Sequence, residues 1–267
     1  MYMQKIMEDH LGQYLLLDLA LLAFLFFGML LFWELGRKLG GRQKNSEYRR
    51  AQYGIRVMEG AVFALMGLLI AFTFSAANMR FEARRQLMIQ EVNAIGTAYL
   101  RLNLLQPDDQ LLLRDSFRHY LDLRIASYRH LSIFGLAKSE MQKISLNEIL
   151  LWRQAVAAVH RQNSRPPALL LLPAINQMFE AANSRMIIVS FHMPLFIFLL
   201  LISLAFTSAI LAGYDIPRNK KHGSIHFIGF IIIVVLTIYT IFSFEFPRLG
   251  LVKNPDDVQL KELRRHL

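Results

Sequence analysis

Of the ionisable side chains inside or at the edge of long apolar runs, three are best placed to do chemistry: Asp18, Glu59 and His192. A charge in hydrocarbon is costly, so such groups pair with one another or line a polar path. Asp18 falls about one helical turn inside the first run and His192 about two turns inside the third. At similar depth they can form an interhelical hydrogen bond, or a proton- or ion-sensitive site. Pro194 follows His192 by two residues. It weakens a helix there and frees a carbonyl. Glu59 has apolar neighbours on both sides in sequence. With Glu34 it sits at a run's end beside basic residues, as interfacial groups do.

The second run holds a different kind of chemistry. It contains Gly60, Gly67, Thr73, Ser75, Ala76, Ala77 and Asn78. Small residues let helices pack closely. Small and polar residues also line a pore when one span repeats around an axis. Gly67, Thr73, Ser75 and Asn78 are the pore-lining candidates. Arg80, Glu82, Arg84 and Arg85 follow directly and would ring the mouth of such a pore.

No enzyme motif accompanies them: there is no nucleophile elbow, Walker A loop, dinucleotide fingerprint or HExxH. The eight histidines are scattered and cysteine is absent, so a thiolate metal site, a disulfide and a catalytic cysteine are all excluded. No metal site and no cofactor is expected. Glu82 with Glu91, and Asp108 with Asp109, read as solvated helix faces and caps rather than acid–base pairs.

The elements that must position these residues are four apolar runs, Tyr14–Trp33, Val57–Asn78, Met186–Tyr214 and His226–Phe246. Each is near the ~20 residues a helix needs to cross a hydrocarbon core about 30 Å thick. Backbone in lipid must satisfy its own hydrogen bonds, so the runs are helices. The expected fold is an all-α membrane protein with four transmembrane helices and a helical-bundle insert between spans two and three. Residues 1–78 form an N-terminal hairpin (spans about 14–35 and 57–78), 79–185 the extramembrane domain, 186–246 a C-terminal hairpin and 247–267 a polar tail. The first run is too long for a signal h-region, and Trp33-Glu34-Leu35-Gly36 is no small-x-small cleavage site, so it reads as a retained helix.

The formal charge of +10 invites a nucleic-acid partner. Its distribution excludes one. Gly36–Arg56 carries seven basic residues against the single acid Glu47, between two spans, where such residues set topology and meet anionic lipid. With Arg218, Lys220 and Lys221 in the other short loop, the positive-inside rule places both loops in the cytoplasm. Both termini and residues 79–185 are then expected in the periplasm of a bacterial inner membrane.

Within the insert, Phe81, Met88, Val92, Ile95, Tyr99 and Leu102 recur at helical spacing. Pro107-Asp108-Asp109 breaks and restarts the chain. Leu113, Phe117, Leu121 and Tyr128 make a second stripe. Ser145-Leu-Asn-Glu148 matches a capping box, and Ile149, Trp152, Val156 and Val159 follow it. After the stop at Arg165-Pro166-Pro167, Ile175, Phe179, Ala182 and Met186 form the last stripe. Four stripes predict an antiparallel bundle. No Gly or Pro separates span two from the first bundle helix, or the last bundle helix from span three, so both are expected to run on as continuous helices.

Four stretches carry a family resemblance: Glu59-Gly60-Ala61-Val62, Gly67 to Ser75, Arg80-Phe-Glu-Ala-Arg-Arg-Gln86, and Glu91 to Leu102. They resemble a bacterial family of membrane proteins described as having a bestrophin-like domain, a domain of unknown function. The resemblance implies a four-span inner-membrane protein with a helical insert. Its link onward to bestrophins implies an oligomeric anion channel. The acidic calcium clasp and neck motif of bestrophins have no match on this sequence.

Two functions follow. One is an oligomeric ion channel, anion-selective through Arg80, Arg84 and Arg85, with span two lining the pore. Four spans enclose no water path, so a symmetric homo-oligomer is required. Its partners are lipid, copies of itself and inorganic ions, anions first. The alternative is a non-conducting sensor or scaffold with an external bundle. No sequence symmetry between the hairpins supports an inverted-repeat transporter.

Overall fold

A computed structural model describes residues 2–40, 48–130, 138–161, 166–215, 221–246 and 258–267. Among the described residues eight α-helices run α1 (Tyr2–Gly40), α2 (Tyr48–Leu100), α3 (Pro107–His130), α4 (Lys138–His160), α5 (Pro166–Ser190), α6 (Leu195–Asp215), α7 (Lys221–Glu245) and α8 (Val258–His266). A 3₁₀ turn, Arg101–Leu104, links α2 to α3, and no strand occurs among the described residues. Four of the helices, α1, α2, α6 and α7, are long and apolar enough to cross a membrane. Much of the basic loop between α1 and α2, and most of that between α6 and α7, lies outside the described residues.

The chain divides into two compact units, Met1–Phe81 with Met193–Lys253, and Glu82–His192 with Asn254–Leu267. In the first, α1 packs chiefly along α6 and also on α7. Leu25, Met29, Leu201, Ala205 and Ile231 are buried in their shared core. Trp33 stacks on Phe227 at 5.2 Å and Phe32 on Phe206 at 4.8 Å. The α1–α6 contact is backbone-close. A Cβ added at Gly36 would lie 2.1 Å from the Ile210 carbonyl oxygen, and one at Gly213 2.1 Å from that of Trp33. Close packing of small residues was expected of span two. The structure places it between spans one and three instead, and a Cβ at Gly60 or Gly67 of α2 would meet nothing within 4 Å.

Span two leaves the apolar region as one uninterrupted helix, as expected. At 53 residues, α2 is about 80 Å long, far more than a hydrocarbon core. The second crossing differs from expectation. The run Met186–Tyr214 is not one helix: α5 ends at Ser190, residues 191–194 are non-helical, and α6 starts at Leu195. Pro194 is the cause. It offers no N–H, and its ring drives the residue before it out of the helical region. The ladder resumes when the Ile197 N–H bonds the Pro194 carbonyl at 2.9 Å.

The second unit buries Ile95, Leu102, Leu113, Phe117, Leu121, Leu151, Ala155, Leu171 and Ile175 in one core. The α2, α3 and α5 stripes agree with the sequence pattern. The α4 stripe agrees only at its end: Val159 is buried and Val156 half-buried, but Ile149 and Trp152 are exposed, while Ile144, Leu151, Ala155 and Ala158 are buried. The Ser145–Glu148 capping box lies inside α4, which begins at Lys138, so it caps nothing. Residues 258–266, expected in a polar tail, form α8. Its Leu260 is fully buried, and its Arg264 holds Asp122 of α3 at 2.9 Å.

Candidate functional site

In the first unit the candidate residues of span two fall on two different faces of α2. At about 100° per residue, Asn78 lies within roughly 20° of Gly67, and Ser75 roughly 80° away. All three are exposed. Thr73 lies roughly 120° from Gly67. It is buried, and its hydroxyl donates to the Leu69 and Ile70 carbonyls at 2.8 and 3.0 Å. Thr73 therefore shares the inward face with Met66 and Ala77. The other face is open: only 17% of the apolar window of α2 is buried, the least of the four spans.

The three arginines that follow have separate surroundings. Arg80, in the first unit, turns away from the open face. Its Nε donates to Glu245 Oε2 at 2.9 Å. Glu245 is the last residue of α7 and is fully buried. Its other oxygen accepts the Met193 N–H. Pro194 leaves that backbone segment without a helical ladder, and Glu245 supplies the acceptor. In the second unit, Arg84 is buried and donates to the Phe191 carbonyl at 3.0 Å. Arg85 and Glu82 are exposed, 3.8 Å apart, on the helix face that carries the register of Gly67.

Asp18 is buried on α1, Glu59 is half-buried on α2, and His192 is half-buried in the non-helical segment. Glu34 pairs with Arg37 at 3.2 Å. Asp18 belongs to the first unit and His192 to the second. Among the described residues no group of three or more His, Asp or Glu side chains converges where a metal could sit.

Among the described residues two fully buried acids escaped the sequence reading. Glu245 is one. The other is Glu91, read as solvated and in fact fully buried. It joins three helices of the second unit. Arg124 of α3 donates to it at 2.7 Å, Arg185 of α5 at 2.6 Å, and the Tyr128 hydroxyl at 2.9 Å. Arg185 also lies over the Tyr128 ring, 3.8 Å from its centroid. Burial pushes the Glu91 carboxyl up, but the two guanidiniums outweigh it and hold the group below the ordinary glutamate range. Burial raises the Tyr120 and Glu148 side chains beside this network. Glu91 stands three residues after buried Met88 and four before buried Ile95. It therefore lies in the seam itself, which was the signal available.

The arrangement presents a long helix whose open face carries Gly67, Ser75 and Asn78 together with exposed Phe74, and which is held on another side by the Arg80–Glu245 ion pair. The fold has solved counterparts. Three crystal structures of variants of a bacterial bestrophin homologue from Klebsiella pneumoniae match it with TM-scores of 0.67, 0.67 and 0.66. Their identities are 13%, 14% and 12%, over 92%, 91% and 89% of this chain and 96%, 97% and 95% of theirs. At such identity the likeness is one of fold. No curated protein matches the sequence. A family model, the Bestrophin-like domain, matches residues 22–252, which takes in all four spans and most of the second unit, and the chain belongs to that family.

Proposed function

We propose that this protein is an oligomeric ion channel of a bacterial inner membrane, with copies of α2 around the axis and Gly67, Ser75 and Asn78 toward it. The observation that carries this reading is the open face of α2, where Gly60 and Gly67 meet nothing of their own chain. A span so little buried by its own subunit needs lipid or other copies to cover it. Polar Ser75 and Asn78 favour copies and water over lipid. Membership of the Bestrophin-like family, with its link to oligomeric channels, supports the same reading.

Arg85 is the cation left at the mouth, with Glu82 beside it. Like charges repeated around an axis focus the field, so removal there acts more strongly than at an ordinary surface site. Reconstituted protein should carry current, and Arg85→Glu should move the reversal potential toward cation selectivity. The shift should shrink in 1 M salt, where the Debye length is about 3 Å. Silent bilayers across a range of pH and calcium would favour a non-conducting sensor or scaffold.

The charge of the short loops supports a topology with both loops cytoplasmic and the second unit periplasmic. The chain is naturally free of cysteine, which makes thiol labelling clean. A membrane-impermeant thiol reagent on intact cells should modify Gln110→Cys and spare Gln43→Cys. The opposite pattern inverts the protein in the membrane.

A further inference from the structure

We infer that Glu245 is the positioning residue of the pore helix, holding α2 in register through Arg80 and cancelling the arginine's charge behind the pore face. The inference deepens the channel reading and rests on it for its electrical part alone. A carboxylate on the last residue of a helix opposes the helix dipole, and full burial adds a desolvation cost. Such a group persists where specific partners offset both. Among those of Glu245 are the Arg80 Nε on α2 and the Met193 N–H in the break before α6. One side chain thereby ties the end of α7 and the approach to α6 to α2. The tie matters because α2 has little else in this unit to hold it. Its window is largely unburied, and Gly60 and Gly67 face open space. Ring contacts of Phe63 with Phe230 and of Phe74 and Phe81 with Phe244 set its distance from α7. An ion pair of defined geometry, its carboxylate fully buried, adds a directional restraint on rotation and sliding.

Arg80 points roughly 140° away from Gly67 around the helix. Its guanidinium therefore lies behind the lining, across a helix about 10 Å thick, within one Debye length at 0.1 M salt. Uncompensated charge at that place would act on ions in the path with its own sign.

The test uses full-length protein with spin labels on Ser75→Cys in α2 and Ile233→Cys in α7, both exposed positions of one unit, diluted with unlabelled chains. The intramolecular distance distribution should be narrow. Glu245→Gln and Arg80→Gln should each broaden it about twofold, and the double substitution should broaden it no further, because the pair acts as a unit. In liposome flux the two single variants should shift ion preference in opposite directions, Glu245→Gln toward anions and Arg80→Gln toward cations, and the double variant should return close to the parent. General loosening of the fold cannot produce shifts of opposite sign. If Glu245→Gln fails to fold, Arg80→Lys, which keeps the charge but loses the Nε donor, decides by the same distance measurement. Unchanged distributions in the single variants overturn the inference and leave the channel reading standing. Broadened distributions in protein that passes no ions uphold the positioning role and remove the channel reading.

Discussion

Replacement of Glu91 by alanine should unfold the second unit more readily than any other single truncation in it. The carboxylate is the common acceptor for Arg124, Arg185 and Tyr128, and both guanidiniums are almost wholly buried. Removal takes from both guanidiniums their shared acceptor. Breaking a buried pair in this way costs roughly 3–5 kcal/mol, against a typical domain stability of only about 5–15 kcal/mol. Glu91→Gln should do nearly as much harm, since it keeps the shape and loses the charge. Glu82→Ala, nine residues earlier on the same helix, removes an exposed pair and should change stability by less than about 1 kcal/mol. Trp152 on α4 can report unfolding of this unit in a Trp33→Phe background. The same network sets an acid limit. The folded Glu91 titrates below its unfolded value of about 4.5. Its contribution is therefore complete above that pH and is lost as pH falls through the lowered folded value. Glu91→Gln should flatten this acid limb, and an unchanged limb would assign it to other carboxylates.

Gly213→Val should have the largest effect in the first unit. The missing side chain is what lets α6 reach the Trp33 carbonyl of α1, and the opposing atoms are backbone, which cannot swing aside. Any Cβ forces the helices apart and strips contact from the core that holds Leu25, Met29 and Ala209. Forced overpacking of this kind costs roughly 1–3 kcal/mol and sometimes more. Gly36→Val should act similarly. Gly67→Ala should leave the thermal stability of the single subunit unchanged or slightly higher, because alanine is the better helix former by about 1 kcal/mol. If Gly67→Ala instead lowers the assembly state seen by light scattering, the open face is where copies meet. Equal melting of Gly213→Val and parent protein in detergent would show that the α1–α6 contact carries little of the unit's stability.

The spans were legible because hydropathy and length act over about 20 residues and tolerate local exceptions. The break before α6 was half legible. Pro194 was visible as a weak point, but a run of apolar residues on both sides masked it as a boundary. Segment α8 was missed for its length: nine residues, apolar only at Val258, Leu260 and Leu263, are too few to read as a helix alone, and what orders them is Leu260 in a core built by other helices. The charged residues were read least well, because the same glutamate is cheap on a surface and costly inside. Only its partners decide which, and those lie far off in sequence. Glu245 meets Arg80 across 165 residues and Glu91 meets Arg185 across 94. The small residues of α2 pointed to an open face or a packed one; within one subunit the close glycine contacts are those of α1 and α6.

The α1–α6 contact also sets a timetable for making the protein. Gly213 follows Trp33 by 180 residues. At roughly 5–20 residues per second, a ribosome takes about 10 to 40 s to add them. Through that interval α1 is in the bilayer without the surface it will pack against. The Glu34–Arg37 pair is local and can form at once. The glycine face and Trp33 have to wait for α6, whose arrival follows synthesis of the whole insert. The newborn first span is thus exposed to capture by wrong partners for far longer than helix insertion itself requires.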